Sequence, residues 1–349
     1  MKLSQIEFKN TFPSIKSFGP DCLLIYDRYF DSQQSALQPI QTWIKKFPHR
    51  LSLTSGESLK DLKFFPEKME QILTAVDHMA VKNVKIISLG GGSLGDFVGF
   101  VASILKRGRP LIHIPTTWLS AMDSSHGGKT ALNVAGFKNQ VGTFYPAERI
   151  ILIKPILFQQ PDSRSQEAFG EALKMALLTG GSLWSQFSKI KQFNHQTAWK
   201  FLPALIAGKY RLVKKDPYET KGLRHLLNLG HTLGHVWESS SGLPHGTAVN
   251  YGLRAAIEFS KTKKILSSLA YQKLMQAPAM QFLPSLKELQ QAAQQVKNVQ
   301  DYLLKDKKIS KKNSLRFICL RRPGQCPILE VKMTELAQFH TQLQNGNIT

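Results

Sequence analysis

Across roughly the first 150 residues, short runs dense in apolar and β-branched side chains alternate with stretches whose apolar positions recur every three or four residues. The runs predict strands over Cys22–Asp27, Arg50–Thr54, Val84–Leu89, Pro110–Pro115 and Arg149–Lys154, and the longer period predicts helices over Pro66–Ala80 and Leu94–Lys106. That alternation is the pattern of an α/β sheet. Beyond Pro155 the spacing becomes mainly helical, over Gln166–Leu178, Thr197–Lys215, Leu226–Ser239, Thr247–Thr262 and Leu283–Leu304. Leu315–Leu320 and Ile328–Val331 are expected to pair as strands ahead of a last helix over Thr334–Gln344. The chain is therefore expected to be of the α/β class, with an amino-terminal α/β domain over 1–154 and a mainly α-helical domain over 155–349.

Candidate chemistry is densest between Arg224 and Gly246. Asn228, His231 and His235 recur at three- and four-residue spacing, which places them on one face of the helix predicted there. After the loop signal Ser239–Pro244, His245 opens what reads as another helix, so two helices can aim imidazoles at one centre. Such a cluster suits a metal or a proton-transfer site, whereas a lone helical histidine is ordinarily a satisfied core or surface residue.

Composition narrows the partners. Lys and Arg total 46 against 24 Asp and Glu, a net charge of +22, which favours nucleic acid, an acidic surface or an anionic small molecule. The basic residues are spread along the chain, with local density at Lys305–Lys312 and Arg321–Arg322, and no zinc-finger or aromatic-basic signature accompanies them. An anionic small molecule is the expected partner, with no nucleic acid and no membrane. Cys22, Cys319 and Cys326 have neither metal-ligand nor redox spacing, the first residues lack an apolar signal core, and no run approaches a membrane span. A soluble cytoplasmic protein with reduced thiols is expected.

Gly90, Gly92 and Gly95 fit the GxGxxG spacing between a strand and a helix, where backbone N–H groups can cradle a pyrophosphate. The acidic residue expected about twenty positions later in a standard dinucleotide fingerprint is missing. Gly56–Lys60 follows another strand end and suits either ribose hydroxyls or a solvated loop. Asp123–Thr130 combines a carboxylate, hydroxyls, a diglycine and Lys129; with Lys138, Asn139 and Arg107 it suits a phosphate or carboxylate. Glu171 and Lys174, at i and i+3, read equally well as a surface ion pair.

GGGSLGDFVGF, IPTTWLSAMDSSHGGKT, FKNQVGTFYP, GEALK, GLRHLLNLGHTLGHVWE and LPHGTAV, in this order over about Asp27–Lys308, resemble the 3-dehydroquinate synthase family, cyclising enzymes of the shikimate pathway. The resemblance implies a metal site of Glu171, His231 and His245 holding zinc, or cobalt in its place. It implies catalytic and substrate-binding roles for His235, Asp123, Lys129, Asn139, Lys174, Lys209, Arg224 and Asn228, with Arg107 entering from the neighbouring subunit of a homodimer. A late lysine contact falls in Asp306–Lys308. NAD would be held by Asp27, Glu57, Lys60, Gly91, Gly92, Asp96, Thr116, Thr117 and Lys138. The implied reaction converts 3-deoxy-D-arabino-heptulosonate 7-phosphate to 3-dehydroquinate and phosphate, with transient NAD-dependent oxidation at the zinc site.

The chain departs from the family pattern at several points. Phe137 stands where a glycine is usual, Asp216–Arg224 is one residue longer, Ser163–Arg164 replaces an Arg-Glu pair, and the loop from His235 to His245 is short. The rival readings are another sugar-phosphate cyclase, a metal-dependent polyol dehydrogenase, and a non-catalytic protein with a basic surface. Arg224, Asn228 and Lys129 favour a substrate that carries a carboxylate.

Overall fold

The computed structural model describes residues 2–77, 79, 84–304 and 313–347, which form two compact units, Met1–Arg164 and Ser165–Thr349. The division falls after Arg164 and not after Lys154, inside the second of two short helices that follow the last strand of the first unit.

The first unit contains β1 (Gln5–Lys9), β2 (Cys22–Asp27), α1 (Gln38–Ile44), β3 (Arg50–Leu53), α2 (Phe65–Asp77), β4 (Lys85–Gly90) and α3 (Gly92–Ile104). Next come β5 (Leu111–Pro115), β6 (Lys129–Val134), β7 (Phe137–Phe144), β8 (Arg149–Ile153), α4 (Lys154–Phe158) and α5 (Asp162–Glu167), the last of which reaches into the second unit. Six strands form one parallel sheet in the order β1-β8-β5-β4-β2-β3. Central strands covered on both faces need apolar side chains at every position. Accordingly Leu23, Leu24 and Ile25 on β2, and Ile86, Ile87 and Leu89 on β4, are wholly buried. Strand order reverses between β2 and β4, since the chain leaves β2 toward β3 and leaves β4 toward β5. In such sheets the crevice at the carboxyl ends of the strands on either side of the reversal is the ligand site.

Two elements of this unit escape the periodicity. β1 is an edge strand, and the hairpin β6–β7 stands apart as a separate antiparallel pair. Ala135 and Gly136 turn it with φ of 50° and 80°, the two-residue geometry that matches strand twist. Phe137 opens β7 and is 57% exposed, so it is accommodated beyond the turn with no packing demand on its ring.

The second unit is mainly helical: α6 (Phe169–Thr179), α7 (Gly181–Phe187), α8 (His195–Lys215), α9 (His231–Ser241), α10 (His245–Thr262), α11 (Ser268–Met275), α12 (Leu286–Gln294), α13 (Val299–Leu304) and α14 (Met333–Gln344). β9 (Ser314–Ile318) and β10 (Ile328–Lys332) pair antiparallel, as their apolar runs predict. The long helix expected over Leu283–Leu304 is instead α12 and α13, and the one expected over Leu226–Ser239 begins only at His231. Gly230 causes the second difference: it is left-handed (φ 80°), and before it Leu223–Asn228 forms a tight 3-10 turn. The lack of a side chain on Gly252 of α10 permits a close backbone approach here, since a Cβ on it would lie 1.8 Å from the Gly230 carbonyl oxygen. Among the described residues no helix is long and apolar enough to cross a membrane.

His113 sits in the middle of β5, opposite Ser88 of β4 and against α3 at Gly95. Burial lowers its pKa from 6.5 to about 4. A folded-state value below the unfolded one stabilises the native state above about pH 6.5 and is lost as pH falls toward 4. A shift of this size corresponds to roughly 3 kcal/mol at 1.36 kcal/mol per unit. Urea unfolding should therefore weaken across that range, and His113→Gln should make the dependence shallower. An unchanged slope in the variant would refute the assignment.

Candidate active site

In the first unit, the residues expected to meet a nucleotide gather at the carboxyl ends of the parallel strands. Asp27 ends β2, where its carboxylate accepts from the Tyr29 N–H at 3.0 Å and from the Ser55 hydroxyl. Gly91 follows β4 and Gly92 opens α3, and no side chain caps that helix, which leaves its first N–H groups and dipole for an anion. A Cβ on Gly92 would approach the Ser124 hydroxyl to 2.9 Å, and one on Gly91 would approach the Thr117 methyl to 3.2 Å, so side chains here would fill the cradle. Thr116 and Thr117 follow β5; the Thr117 hydroxyl accepts from the Ser120 N–H at 3.2 Å.

Beyond β3, the Gly56 N–H donates to Ser93 Oγ at 3.0 Å, tying the Gly56–Lys60 segment to α3. Within it Glu57 and Ser58 are exposed, while Leu59 and Lys60 are buried. Lys60 is buried, and its Nζ lies 2.6 Å from both Asp96 Oδ2 and Asn139 Oδ1. Burial pushes the Asp96 carboxyl up, while Lys60 pulls it down. Glu57 accepts from Asn133 Nδ2 at 2.9 Å, and Asn133 Oδ1 in turn accepts the Asn139 N–H at 2.9 Å. Asn139 and Lys138 are therefore presented on β7 by contacts to the nucleotide-side residues.

Asp123 lies in the single π turn Ser120–Ser124, and Lys129 is exposed at the start of β6. Gly128 before it is a packing glycine, since a Cβ there would fall 2.8 Å from the Pro146 nitrogen. Arg107 is exposed and left-handed (φ 66°), between Lys106 (φ 45°) and Gly108 (φ 114°).

In the second unit, Glu171 and Lys174 lie one turn apart on α6, each 1% exposed. The surface-pair reading is therefore corrected: this is a buried ion pair. Glu171 Oε1 is 3.2 Å from His231 Nε2 and 3.6 Å from His245 Nε2. The three donor atoms all lie within 4.8 Å of one another. Burial opposes the Glu171 charge, yet Lys174 and His231 hold its carboxyl well below the usual range. Burial, reinforced by Lys174, lowers His231 and keeps it neutral. Burial also opposes protonation of His245, but Glu171 and Glu238 outweigh it and raise its pKa.

These residues fit a divalent cation. A carboxylate with two imidazoles is the donor set of a catalytic zinc, with coordination positions to spare. Both Glu171 oxygens are sealed from solvent, Oε2 paired with Lys174 and Oε1 turned toward the two imidazoles, where a cation would share it with them. The outer nitrogens are engaged as metal-ligating histidines require: His231 Nδ1 faces the Leu229 carbonyl at 3.3 Å, and His245 Nδ1 faces Glu238 Oε2 at 3.0 Å. His235, one turn beyond His231 on α9, is exposed, its ring 5.5 Å from that of His231 and 6.3 Å from that of His245.

Asn228 does not share the helical face of His231 and His235, because the turn carrying it ends before Gly230. Arg224 on that turn is buried, its Nη1 donating to the Pro217 carbonyl at 3.0 Å. Asp216 accepts the N–H groups of Lys221 at 3.0 Å and Arg224 at 3.1 Å. Burial opposes the charge on Asp216, and these backbone donors lower its pKa. Within this loop Glu219 adopts a left-handed φ of 59°. Lys209 is buried on α8, which packs on α6 through Gly208. The late lysine expected at Lys307 or Lys308 lies outside the described residues.

Glu238 and Asp216 were not singled out by motif. Glu238 is seven residues from its partner His245, across a loop, where no helical spacing relates them.

A parallel sheet with a glycine-lined anion cradle, followed by a helical unit bearing a carboxylate and two imidazoles, defines a class of nucleotide- and metal-site α/β proteins. Within it, the chain belongs to the 3-dehydroquinate synthase family: residues 50–167 match the model of the N-terminal domain and 168–309 that of the C-terminal domain. It is 35% identical over 292 residues to the bifunctional shikimate kinase/3-dehydroquinate synthase of Thermotoga maritima, covering 83% of this chain and 58% of that longer protein. It is 36% identical over 287 residues to the 3-dehydroquinate synthase of Legionella pneumophila strain Paris, covering 79% and 74%. A solved 2-deoxy-scyllo-inosose synthase, complexed with carbaglucose-6-phosphate, NAD⁺ and Co²⁺, shares the fold with a TM-score of 0.79 at 23% identity over 97% of this chain and 96% of that one. The 2-epi-5-epi-valiolone synthase ValA of Streptomyces hygroscopicus subsp. jinggangensis 5008, with NAD⁺ and Zn²⁺ bound, does so with a TM-score of 0.76 at 18% identity over 99% and 98%.

Because Glu238 orients His245, Glu238→Ala should weaken zinc binding about 10- to 100-fold at unchanged stoichiometry. Equilibrium dialysis against a competing chelator measures this, and wild-type affinity in the variant would rule out the orienting role.

Proposed function

We propose that this chain converts 3-deoxy-D-arabino-heptulosonate 7-phosphate to 3-dehydroquinate and phosphate, with NAD regenerated at every turnover and zinc, or cobalt, at Glu171, His231 and His245. The observation that carries this reading is the convergence of Glu171, His231 and His245 in a chain that matches both domain models of the family. When bound, NAD takes up and returns a hydride, and the cation polarises the oxygen at the carbon being oxidised.

The remaining work falls to side chains. Asp27 and Glu57 accept from ribose hydroxyls, while the N–H groups at Gly91 and Gly92 receive the pyrophosphate. Lys60, Asp96, Thr116, Thr117 and Lys138 complete the nucleotide contacts. Lys129, Lys174, Lys209 and Arg224 supply the positive charge that a substrate carrying both carboxylate and phosphate demands, with Asp123, Asn139 and Asn228 accepting and donating around its hydroxyls. Positive charge on these groups would stabilise negative charge as it shifts to the departing phosphate. His235, exposed beside the imidazole pair, moves the proton. Arg107 completes the neighbouring subunit's site in a homodimer. The three free cysteines support work in the reducing cytoplasm.

Incubating metal-loaded protein with the heptulosonate phosphate and catalytic NAD⁺ should release phosphate and 3-dehydroquinate in equal amounts. Stoichiometric NADH would indicate a polyol dehydrogenase, and turnover of a sugar phosphate lacking the carboxylate would indicate another cyclase. His245→Ala should lose zinc, whereas His235→Ala should keep it and turn over about 10²- to 10⁴-fold more slowly. Equal metal loss in both variants would refute this division of roles.

A further inference from the structure

Beside the Asn228 amide lies His225, a residue to which the family resemblance assigns no role. His225 lies one turn earlier on the Leu223–Asn228 segment and is buried. Its Nε2 is 2.9 Å from the Arg316 carbonyl oxygen on β9, and its Nδ1 is 3.3 Å from Asn228 Nδ2. A carbonyl oxygen can only accept, so Nε2 carries the proton. The neutral ring then keeps its lone pair on Nδ1, and only a donor can face that atom. The amide nitrogen of Asn228 satisfies this, whereas the flipped amide would set its oxygen against the lone pair.

An unsupported asparagine can present either end to a ligand, because a half-turn of its amide exchanges oxygen for nitrogen with little change in shape. Resting on the proposed function, we propose that His225 is a positioning residue: anchored to the Arg316 carbonyl, it commits the Asn228 NH₂ group inward and so makes Oδ1 an acceptor for a substrate hydroxyl. The anchor is a sheet backbone group, so the orientation is inherited from β9 and not from the mobile end of another side chain.

Steady-state kinetics of zinc- and NAD-loaded variants test this. His225→Phe keeps the ring and removes both hydrogen bonds; its kcat/KM should fall about tenfold, with zinc content unchanged. His225→Asn, whose side chain can place an acceptor near the former Nδ1, should recover most of the loss. His225→Gln, which mimics Nε2, should recover thermal stability but not kcat/KM. His225→Phe/Asn228→Ala should be no slower than Asn228→Ala alone, because one residue acts through the other. Multiplicative losses in the double variant, or wild-type kcat/KM in His225→Phe, would overturn the proposal. The ¹⁵N spectrum of labelled wild-type protein should show the Nε2–H tautomer at His225, and the Nδ1–H tautomer would overturn it as well. That spectrum requires no turnover, so failure of the cyclase assay and failure of the positioning role can be told apart.

Discussion

A carboxylate with 1% of its surface exposed stays ionised only if positive charge is brought to it, and the second unit is built around meeting that demand at Glu171. Lys174 approaches from the next turn of α6, His231 from the first residue of α9 and His245 from the first residue of α10. Each helix start is placed by a local device: Gly230 ends the preceding turn, and Gly246 lets α10 touch the Glu167 backbone, where a Cβ would come within 1.9 Å of the carbonyl oxygen. Electrostatics then divide the two imidazoles. His231 faces Lys174 and stays neutral, while His245 is gripped by a second carboxylate.

The first unit solves a different problem with backbone in place of charge. Parallel strands end on one side of the sheet, and at the reversal of strand order their loops spread apart. Small residues at Gly91 and Gly92 leave the helix terminus bare, and charged groups around it are already committed to one another, as in Lys60 with Asp96 and Asn139. The result is a crevice lined by backbone groups and by side chains that hold one another in place.

How much of this was readable from the sequence depended on what each segment buries. β2 announced itself because both its faces are covered, leaving an unbroken apolar run. β7 was silent, since nearly every residue along it is exposed and no alternation survives. The spacing of Asn228, His231 and His235 suggested one helical face, but periodicity carries no information about a left-handed glycine between them. Lys174 looked like a surface partner because i and i+3 spacing says who is adjacent and nothing about depth. The family resemblance supplied Glu171, which lies sixty positions before His231 in sequence and meets it only through the packing of α6 against the later helices. His225 stayed hidden for the same reason, its anchor being 91 residues away on β9.

The contact of Gly252 with the Gly230 carbonyl has a bearing on how this chain can change. Helices that meet at their backbones have no side chain to trim or enlarge between them, so their separation cannot be adjusted in small steps. Exposed positions can drift singly, but the crossing itself is inherited whole or lost. Laboratory libraries aimed at new chemistry should therefore leave the glycine pair as found.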